Sequence, residues 1–99
     1  MYEMISYNEA LRTKVDYRIV EIAQSSPSTE IRAILVLDTS PSEDVLKEIS
    51  SLAKIDNVFS FMMTVKVKGK ASDIARLGEK SFIRYIMLDE VIARTQEWS

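Results

Sequence analysis

The chain has 99 residues and a formal net charge of −2, and its 46% hydrophobic and 28% charged residues are typical of one globular domain. It contains no cysteine and no histidine, which excludes disulfides, thiol nucleophiles, Ser-His-Asp triads and ordinary zinc sites. The near-neutral charge argues against general nucleic-acid binding, and no segment approaches the roughly 18 apolar residues of a membrane span. We therefore expect a protein-binding domain with no enzyme activity, no metal and no cofactor.

The first 23 residues are predicted to be helical. Their apolar positions recur at spacings of four, four and three, which places them on one stripe of a helix: Leu11, Val15, Ile19 and Ile22. Two starts remain open, since Ser6 or Asn8 would cap a long helix, whereas Asp16 would cap a shorter helix over 17–23. The opening residues lack a positive leader and a continuous apolar core, so no signal peptide is expected and the localisation stays open.

Residues 24–29 form a polar stretch in which Pro27 blocks helix continuation, so they are predicted to be a linker. The helix before them would either pack on the following domain or swing away from it. The chain then divides into an N-terminal helix with its linker (1–30), a folded domain (31–95) and a tail (96–99).

Five segments of regular structure are predicted after the linker. An apolar strand, a capped amphipathic helix, an alternating stretch, a short helix and a last apolar strand occupy residues 32–38, 40–55, 58–68, 71–79 and 82–91. Residues 40–43 (Ser-Pro-Ser-Glu) mark the start of the first helix, and Gly78 marks the end of the second. With a reversal near 62–64, this order becomes β-α-β-β-α-β. It predicts a ferredoxin-like α+β sandwich, in which two helices cover one face of a four-stranded antiparallel sheet.

Alternation assigns the residues of the sheet to its two faces. Phe59, Phe61 and Met63 fall on the face that packs against the helices, so they are predicted to be core. Residues 56–57 are predicted to form the turn that precedes this stretch. Three lysines are predicted to line a solvated sheet edge: Lys66, Lys68 and Lys70.

The sheet face opposite the helices is less polar than contact with water alone requires. Met62, Ile86 and Leu88 are predicted to lie on it, and exposed apolar residues on a sheet face are typical of a docking surface. A second copy of the chain, the N-terminal helix or a partner protein would each cover such a face, and the residues favour none of the three strongly.

Three stretches of the chain resemble the propeptides of subtilisin-type serine proteases and the small stand-alone inhibitors that share their fold. They are RAILVLD, SPSEDVLKEISSLAKI and VKVKGKASDIARLGEKSFIRYIMLDEVIART. The last stretch matches the family pattern of a strand, a short helix with Ile74 and Leu77, a strand with Tyr85, and then Asp89. The resemblance covers residues 31–95.

The resemblance implies that the sheet face packs on two surface helices of a protease and that Asp89 caps one of them. It also implies that four tail residues enter the active-site cleft as an extended strand: Ile92, Ala93, Arg94 and Thr95. Ile92 would fill an apolar pocket, and Thr95 would precede the scissile bond. Residues 87–88 (Met-Leu) stand where the family has an acidic pair, so half of the capping contact is missing.

We therefore expect an inhibitor and folding helper (an intramolecular chaperone) of a subtilisin-type serine protease, acting on the same chain or on a separate one. The alternative is a stand-alone intracellular module that forms a homodimer through its sheet. A small-molecule sensor is less favoured, because residues 38–40 are the only ligand loop that the sequence offers. Neither a nucleic acid nor a membrane is an expected partner.

Overall fold

The computed structural model describes residues 14–92, and residues 1–13 and 93–99 lie outside the described part. The described helices are α1 (Tyr17–Ser25), α2 (Glu43–Ser50) and α3 (Ala71–Leu77). The described strands are β1 (Glu30–Leu37), β2 (Lys54–Phe59), β3 (Thr64–Lys70) and β4 (Ile83–Val91). They form one antiparallel sheet in the order β2-β3-β1-β4. The prediction of a ferredoxin-like β-α-β-β-α-β arrangement with an added N-terminal helix is confirmed.

The core lies between the sheet and its helices, with β1 at its centre. Strand β1 runs between β3 and β4, and its buried residues alternate with more exposed ones. Apart from Val15, the largest fully buried side chains come from all three helices and from strands β1, β3 and β4: Ile19, Ile31, Leu35, Leu37, Ile49, Val65, Val67, Ile74, Leu77, Ile83 and Ile86. Since burying one such side chain stabilises the fold by about 1.5–3 kcal/mol, this layer holds the domain together.

Helix α1 begins after its N-cap residue Asp16, whose carboxylate accepts a hydrogen bond from the Arg18 backbone N–H at 3.0 Å. The later of the two predicted starts is therefore the start of α1, and the other predicted caps, Ser6 and Asn8, lie outside the described residues. Ile19 is buried in the common core, and α1 packs against α3 and contacts β4. The helix is thus packed on the sandwich rather than swinging away from it.

The predicted linker is fixed on helix α3. The carbonyl of Thr29 accepts a hydrogen bond from the Ala71 N–H at 2.8 Å, and the carbonyl of Pro27 accepts one from the Ser72 N–H at 3.1 Å. These N–H groups belong to the first turn of α3, where a helix has no internal partners for them. The polar stretch therefore caps α3, a role that its composition did not predict.

Helix α2 is shorter than predicted. It starts after the N-cap Ser42, whose hydroxyl accepts a hydrogen bond from the Val45 N–H at 3.4 Å, and it ends at Ser50. The hydroxyls of Ser50 and Ser51 donate to carbonyls in the last turn, at 3.0 and 2.7 Å. Such bonds compete with continuation of a helix. Residues 54–57, predicted as a helix end and a turn, instead begin strand β2, so that prediction is wrong.

The reversal between β2 and β3 occurs in the predicted region, but its side chains are exposed. A 3-10 turn over Ser60–Met62 and a left-handed residue, Met63 (φ 49°), join the strands. The prediction that Phe59, Phe61 and Met63 are core residues is wrong, because Phe61 is fully exposed and the other two are each 38% exposed. The turn interrupts the period of two, so positions before and after it do not share a face.

Candidate functional site

The sheet face that points away from the helices is the candidate functional surface, and we call it the open face. On β1 and the two strands beside it, β3 and β4, the residues of the open face are Arg32, Ile34, Val36, Thr64, Lys66, Lys68, Tyr85 and Met87. The register fixes their neighbours, since Ile34 lies between Lys66 and Met87. Strand β3 is internal to the sheet, so the prediction that Lys66 and Lys68 line a sheet edge is wrong. Lys70 is exposed at the end of that strand.

A β-bulge near the end of β4 brings two carboxylates to the open face. The register shift on β1 between residues 32 and 33 leaves Asp89 as an extra residue of β4. As a result, Asp89 and Glu90 both contact cations of the open face. Lys66 Nζ lies 3.6 Å from Asp89 Oδ2, and Arg32 Nη1 lies 2.9 Å from Glu90 Oε1. A regular strand would send one of the two side chains to the opposite face.

Strand β2 adds a third carboxylate to this end of the open face. A register shift between Ile55 and Asn57 makes Asp56 the extra residue of β2, and Asp56 Oδ2 lies 3.7 Å from Arg32 Nε. All the ion pairs on the open face are partly exposed to solvent. Exposed pairs of this kind stabilise a fold by about 0–1 kcal/mol each. Little stabilising free energy is therefore lost when one of these carboxylates leaves its ion pair for another partner.

The other end of the open face is apolar. Val36 lies opposite Tyr85, and Ile34 lies opposite Met87. Phe59 on β2 lies in the same cross-strand row as Val36 and Tyr85. Met87 is 40% exposed and Phe59 is 38% exposed. The open face therefore combines an apolar end, near the β2–β3 turn, with a charged end, near the end of β4.

The residues predicted to form a docking face do not lie together. Ile86 is fully buried opposite Leu35, and Leu88 is partly buried against the core, so neither is on the open face. Met62 is exposed, but it lies in the turn beyond the sheet. The prediction is wrong because β4 has a second register shift, at Arg84, which reverses the alternation that the sequence suggests.

Sequence reasoning missed Tyr85 and Met87, which strict alternation assigns to the helix side. A signal was present, because the same alternation grouped Arg84 with the apolar Ile86 on one face. A charged residue in an otherwise apolar row indicates a bulge or a change of face. Glu90 was also missed, and no local pattern marks the bulge that brings it to the open face.

The predicted cleft residues begin where the sheet ends. The Ile92 backbone N–H donates to the Glu30 carbonyl at 2.9 Å, so the main chain is held in the sheet up to this residue. Asp89, predicted to cap a partner helix, is exposed on the open face just before this point. The remaining cleft residues, Ala93, Arg94 and Thr95, lie outside the described residues.

The outer edge of β4 is covered by the residues that precede α1. Val15 forms a parallel bridge with Ile86, and the Asp16 N–H donates to the Ile86 carbonyl at 2.8 Å. The Asp16 carboxylate accepts hydrogen bonds from the Leu88 N–H at 3.0 Å and from Arg18 Nη2 at 2.8 Å. The Arg18 side-chain hydrogen bond is the largest reason that the pKa of Asp16 is lowered to about 2, against the opposing effect of its burial. These contacts fix the strand that carries the open-face carboxylates.

Within residues 14–92, no helix is long and apolar enough to cross a membrane, and no group of three acidic side chains is placed to hold a metal ion. Every buried side-chain polar atom in that range has a hydrogen-bond partner. Comparison of the chain with protein-family models, curated proteins and solved structures finds no match. The open face itself offers partly exposed apolar side chains at one end and carboxylates, which accept hydrogen bonds, at the other.

Proposed function

We propose that this domain binds and inhibits a subtilisin-type serine protease, and assists its folding, through the open face of the sheet. The observation that carries the proposal is the placement of Asp89 and Glu90, two adjacent carboxylates that share the open face with an apolar surface. In the family that the chain resembles, a sheet of this kind lies on two surface helices of the protease, and acidic side chains cap those helices.

The bulge in β4 supports the capping role. The family that the chain resembles has an acidic pair where this chain has Met-Leu, at residues 87–88. Glu90 supplies a second carboxylate on the same face, after Asp89 instead of before it. Two carboxylates in this position are able to accept hydrogen bonds from the unpaired N–H groups at the starts of two partner helices.

The carboxylates supply orientation rather than most of the affinity. A carboxylate at a helix N-terminus is stabilising by about 0.3–1 kcal/mol, and by up to about 2 kcal/mol when it is partly buried. Docking would replace the ion pairs of Asp89 with Lys66 and of Glu90 with Arg32, each worth about 0–1 kcal/mol. Since this exchange is nearly balanced, it sets the angle of docking without dominating the binding free energy.

The affinity then comes from the apolar end of the open face. Apolar surface contributes about 25 cal/mol for each Å² removed from water, and a few well-packed side chains carry most of the energy of an interface. Tyr85 and Met87 lie side by side with Val36 and Ile34 between β4 and β1. We expect Tyr85 and Met87 to be the main anchors, because they are the largest apolar side chains of that cluster.

The tail continues from a fixed point at the charged end of the open face. The sheet holds the main chain up to Ile92. We place Ile92 in an apolar pocket of the protease and residues 93–95 along its cleft, paired as an added strand. Holding the start of the tail in place reduces the conformational entropy that is lost when the tail binds.

Inhibition titrations of a subtilisin-type protease test the proposal. Met87→Asp on the open face and Ile92→Asp at the tail are each expected to raise the inhibition constant about 100-fold, because each buries a carboxylate without a partner. Lys47→Ala, on the exposed side of α2, is the matched control and should change it less than about twofold. If all three variants inhibit like the wild type, or if none of the four proteins inhibits, the proposal is wrong.

Refolding tests the folding-helper part separately. A denatured subtilisin-type protease is diluted into buffer with and without the domain, and recovered activity is measured after the domain is digested. We expect the wild-type domain to raise the yield and Met87→Asp to raise it much less. Equal yields with and without the domain would contradict this part of the proposal.

A further inference from the structure

Strand β2 forms the second outer edge of the sheet, and no other segment within residues 14–92 pairs with its outer side. Most of its residues are exposed, including Val58 and Phe59. The turn that follows exposes Phe61 completely and Met62 by 66%. Residues 54–62, which we call the edge segment, thus combine unpaired main-chain groups with exposed apolar side chains.

An edge of this kind is a template for another strand, because its outward N–H and C=O groups have no protein partner. Folded proteins guard such edges with bulges and charges, and the first half of β2 has both, in the bulge at Asp56 and the exposed Lys54. The second half, residues 57–59, is regularly paired with β3 and carries neither. Pairing with a further strand is therefore open at 57–59.

We propose that a second copy of this chain occupies this edge, with the two β2 strands antiparallel about a two-fold axis at Val58. A two-fold axis uses the same surface of both copies and closes the assembly at a dimer. Val58 then faces Val58 of the second copy, and Phe61 lies beside residues 54–56 of that copy. The two sheets join into one sheet of eight strands, with the helices of both copies on the same side.

Charge and contact count against two earlier registers. An axis at Asp56 sets two carboxylates opposite each other, which destabilises a strand pair. An axis at Ile55 carries Phe61 past the start of the opposite strand and leaves it without a contact there. An axis at Val58 sets the charged residues Lys54 and Asp56 beside the uncharged turn of the second copy, so no like charges meet.

A groove beside β2 is placed to receive Phe61. It lies between α2 and β2, and its apolar lining comes from Leu46 and Ile55, which are only partly buried. Phe61 lies in the turn that follows β2, and Ile55 lies in the first half of β2, so antiparallel pairing about Val58 brings the turn of one copy toward the half of β2 that carries Ile55 in the other. An aromatic ring packed at this point buries about 150–250 Å².

The contact is small, so the dimer is expected to be weak. Four exposed apolar side chains and a short strand pair bury on the order of 600 Å² per copy, below the roughly 800 Å² per partner of a standard interface. We expect monomer and dimer to exchange at micromolar concentrations. The outer edge of β4 is covered at residues 86–88 by the chain's own residues 15–16, which leaves β2 as the edge for pairing and limits growth beyond two copies.

Disulfide trapping tests this arrangement. The chain has no cysteine, so one introduced thiol reports one position. Directly opposed residues of antiparallel strands have Cα atoms about 4.5–5.5 Å apart, which suits a disulfide. Under mild oxidation at micromolar concentration, Val58→Cys is expected to form cross-linked dimers, while Met87→Cys on the open face and Tyr17→Cys on α1 stay uncross-linked. All three positions are exposed in the monomer, so no core contact is removed.

Sedimentation velocity over a concentration series gives the second readout. Phe61→Asp is expected to weaken dimerisation at least about tenfold, and Tyr17→Asp, at an exposed aromatic residue elsewhere, should leave it unchanged. Cross-linking of Met87→Cys in preference to Val58→Cys would overturn the proposal in favour of association through the open face. A wild-type chain that stays monomeric at millimolar concentration would also overturn it. Protease inhibition is measured separately from cross-linking and sedimentation. A negative result for the dimer therefore does not contradict the proposed function, and a negative result for inhibition does not contradict the dimer.

Discussion

The two outer strands of the sheet differ in whether another part of the chain covers their outer side. The outer side of β4 is covered by the chain itself, since Val15 bridges to Ile86 and Asp16 bonds to the main chain of both Ile86 and Leu88. The outer side of β2 has a bulge at Asp56 but no covering segment within residues 14–92. The comparison teaches that an added N-terminal element is able to fix one strand of a small sheet while the other edge stays free to bind.

The covered strand is the one on which the proposed function depends. Strand β4 carries Met87, Asp89 and Glu90 on the open face and leads to Ile92, where the tail begins. A strand held in place before the partner arrives loses less conformational entropy on binding. The free strand β2 carries no part of that proposed contact except Phe59 at its far end.

The largest expected difference between the two edges is in stability. Ile86→Ala removes a fully buried side chain from β4, and we expect it to lower the free energy of unfolding by about 2–5 kcal/mol. Phe61→Ala removes a larger side chain near β2 but should change stability by about 0.5 kcal/mol or less, because Phe61 is fully exposed. Urea unfolding of dilute protein measures both, and equal losses would show that the edges do not differ as described.

A smaller loss of folding free energy is expected when the contacts that cover β4 are removed. Asp16→Ala removes the N-cap of α1, worth about 1 kcal/mol, and leaves the Leu88 N–H without its acceptor, so we expect a loss of about 2–3 kcal/mol in total. Asp56→Ala at the free edge should cost about 0–1 kcal/mol, because its ion pair is exposed. Amide exchange at Leu88 should accelerate only in the first variant. Unchanged exchange there would mean that Asp16 does not cover β4.

Acid is expected to weaken the covered edge through the same carboxylate. The pKa of Asp16 is about 2 in the folded chain against an ordinary 3.8, so unfolding at acidic pH takes up a proton there. Its stabilising contribution is complete above about pH 5 and is lost as the pH falls toward 2. Asp16→Asn should therefore show a shallower fall in the free energy of unfolding over this range. Parallel curves for the variant and the wild type would contradict the assignment.

The smallest expected effect is a gain in stability at the turn beside the free edge. Met63 has a φ of 49°, a conformation that costs a residue with a side chain about 1–2 kcal/mol, whereas glycine loses only about 0.5–1 kcal/mol through the unfolded state. Met63→Gly should thus stabilise the fold by about 0.5 kcal/mol. Met62→Gly, one residue earlier in the 3-10 turn, should instead destabilise it by about 0.5–1 kcal/mol. Losses of equal size in the two variants would contradict this interpretation of the turn.

The order of helices and strands was predictable because it depends on local periodicity. The short helix predicted over 71–79 is Ala71–Leu77, and the last strand predicted over 82–91 is Ile83–Val91. Asp16 was foreseen as the cap of one of the two possible helix starts, since a carboxylate just before a helical stretch is a strong local signal. These features do not require knowledge of what each segment packs against.

The assignment of side chains to faces could not be predicted in the same way. Each bulge adds one residue to a strand and reverses the alternation after it, and a bulge depends on pairing between distant segments. This is why Ile86 and Leu88 were predicted to lie on the docking face, whereas Ile86 is fully buried and Leu88 is partly buried against the core. The covering of the β4 edge could not be predicted either, because the hydrogen bond between Asp16 and Leu88 joins residues 72 positions apart.

The most direct test of the central claim is an NMR titration of the isotopically labelled domain with a subtilisin-type protease whose catalytic serine has been replaced. We predict that amide signals of residues 85–90 and Ile92 shift strongly, while those of Val58 and Phe61, on the free edge, change little at concentrations where the domain is monomeric. Shifts confined to the free edge, or no shifts at all with this protease, would contradict the claim that the open face, held by its covered strand, is the binding surface.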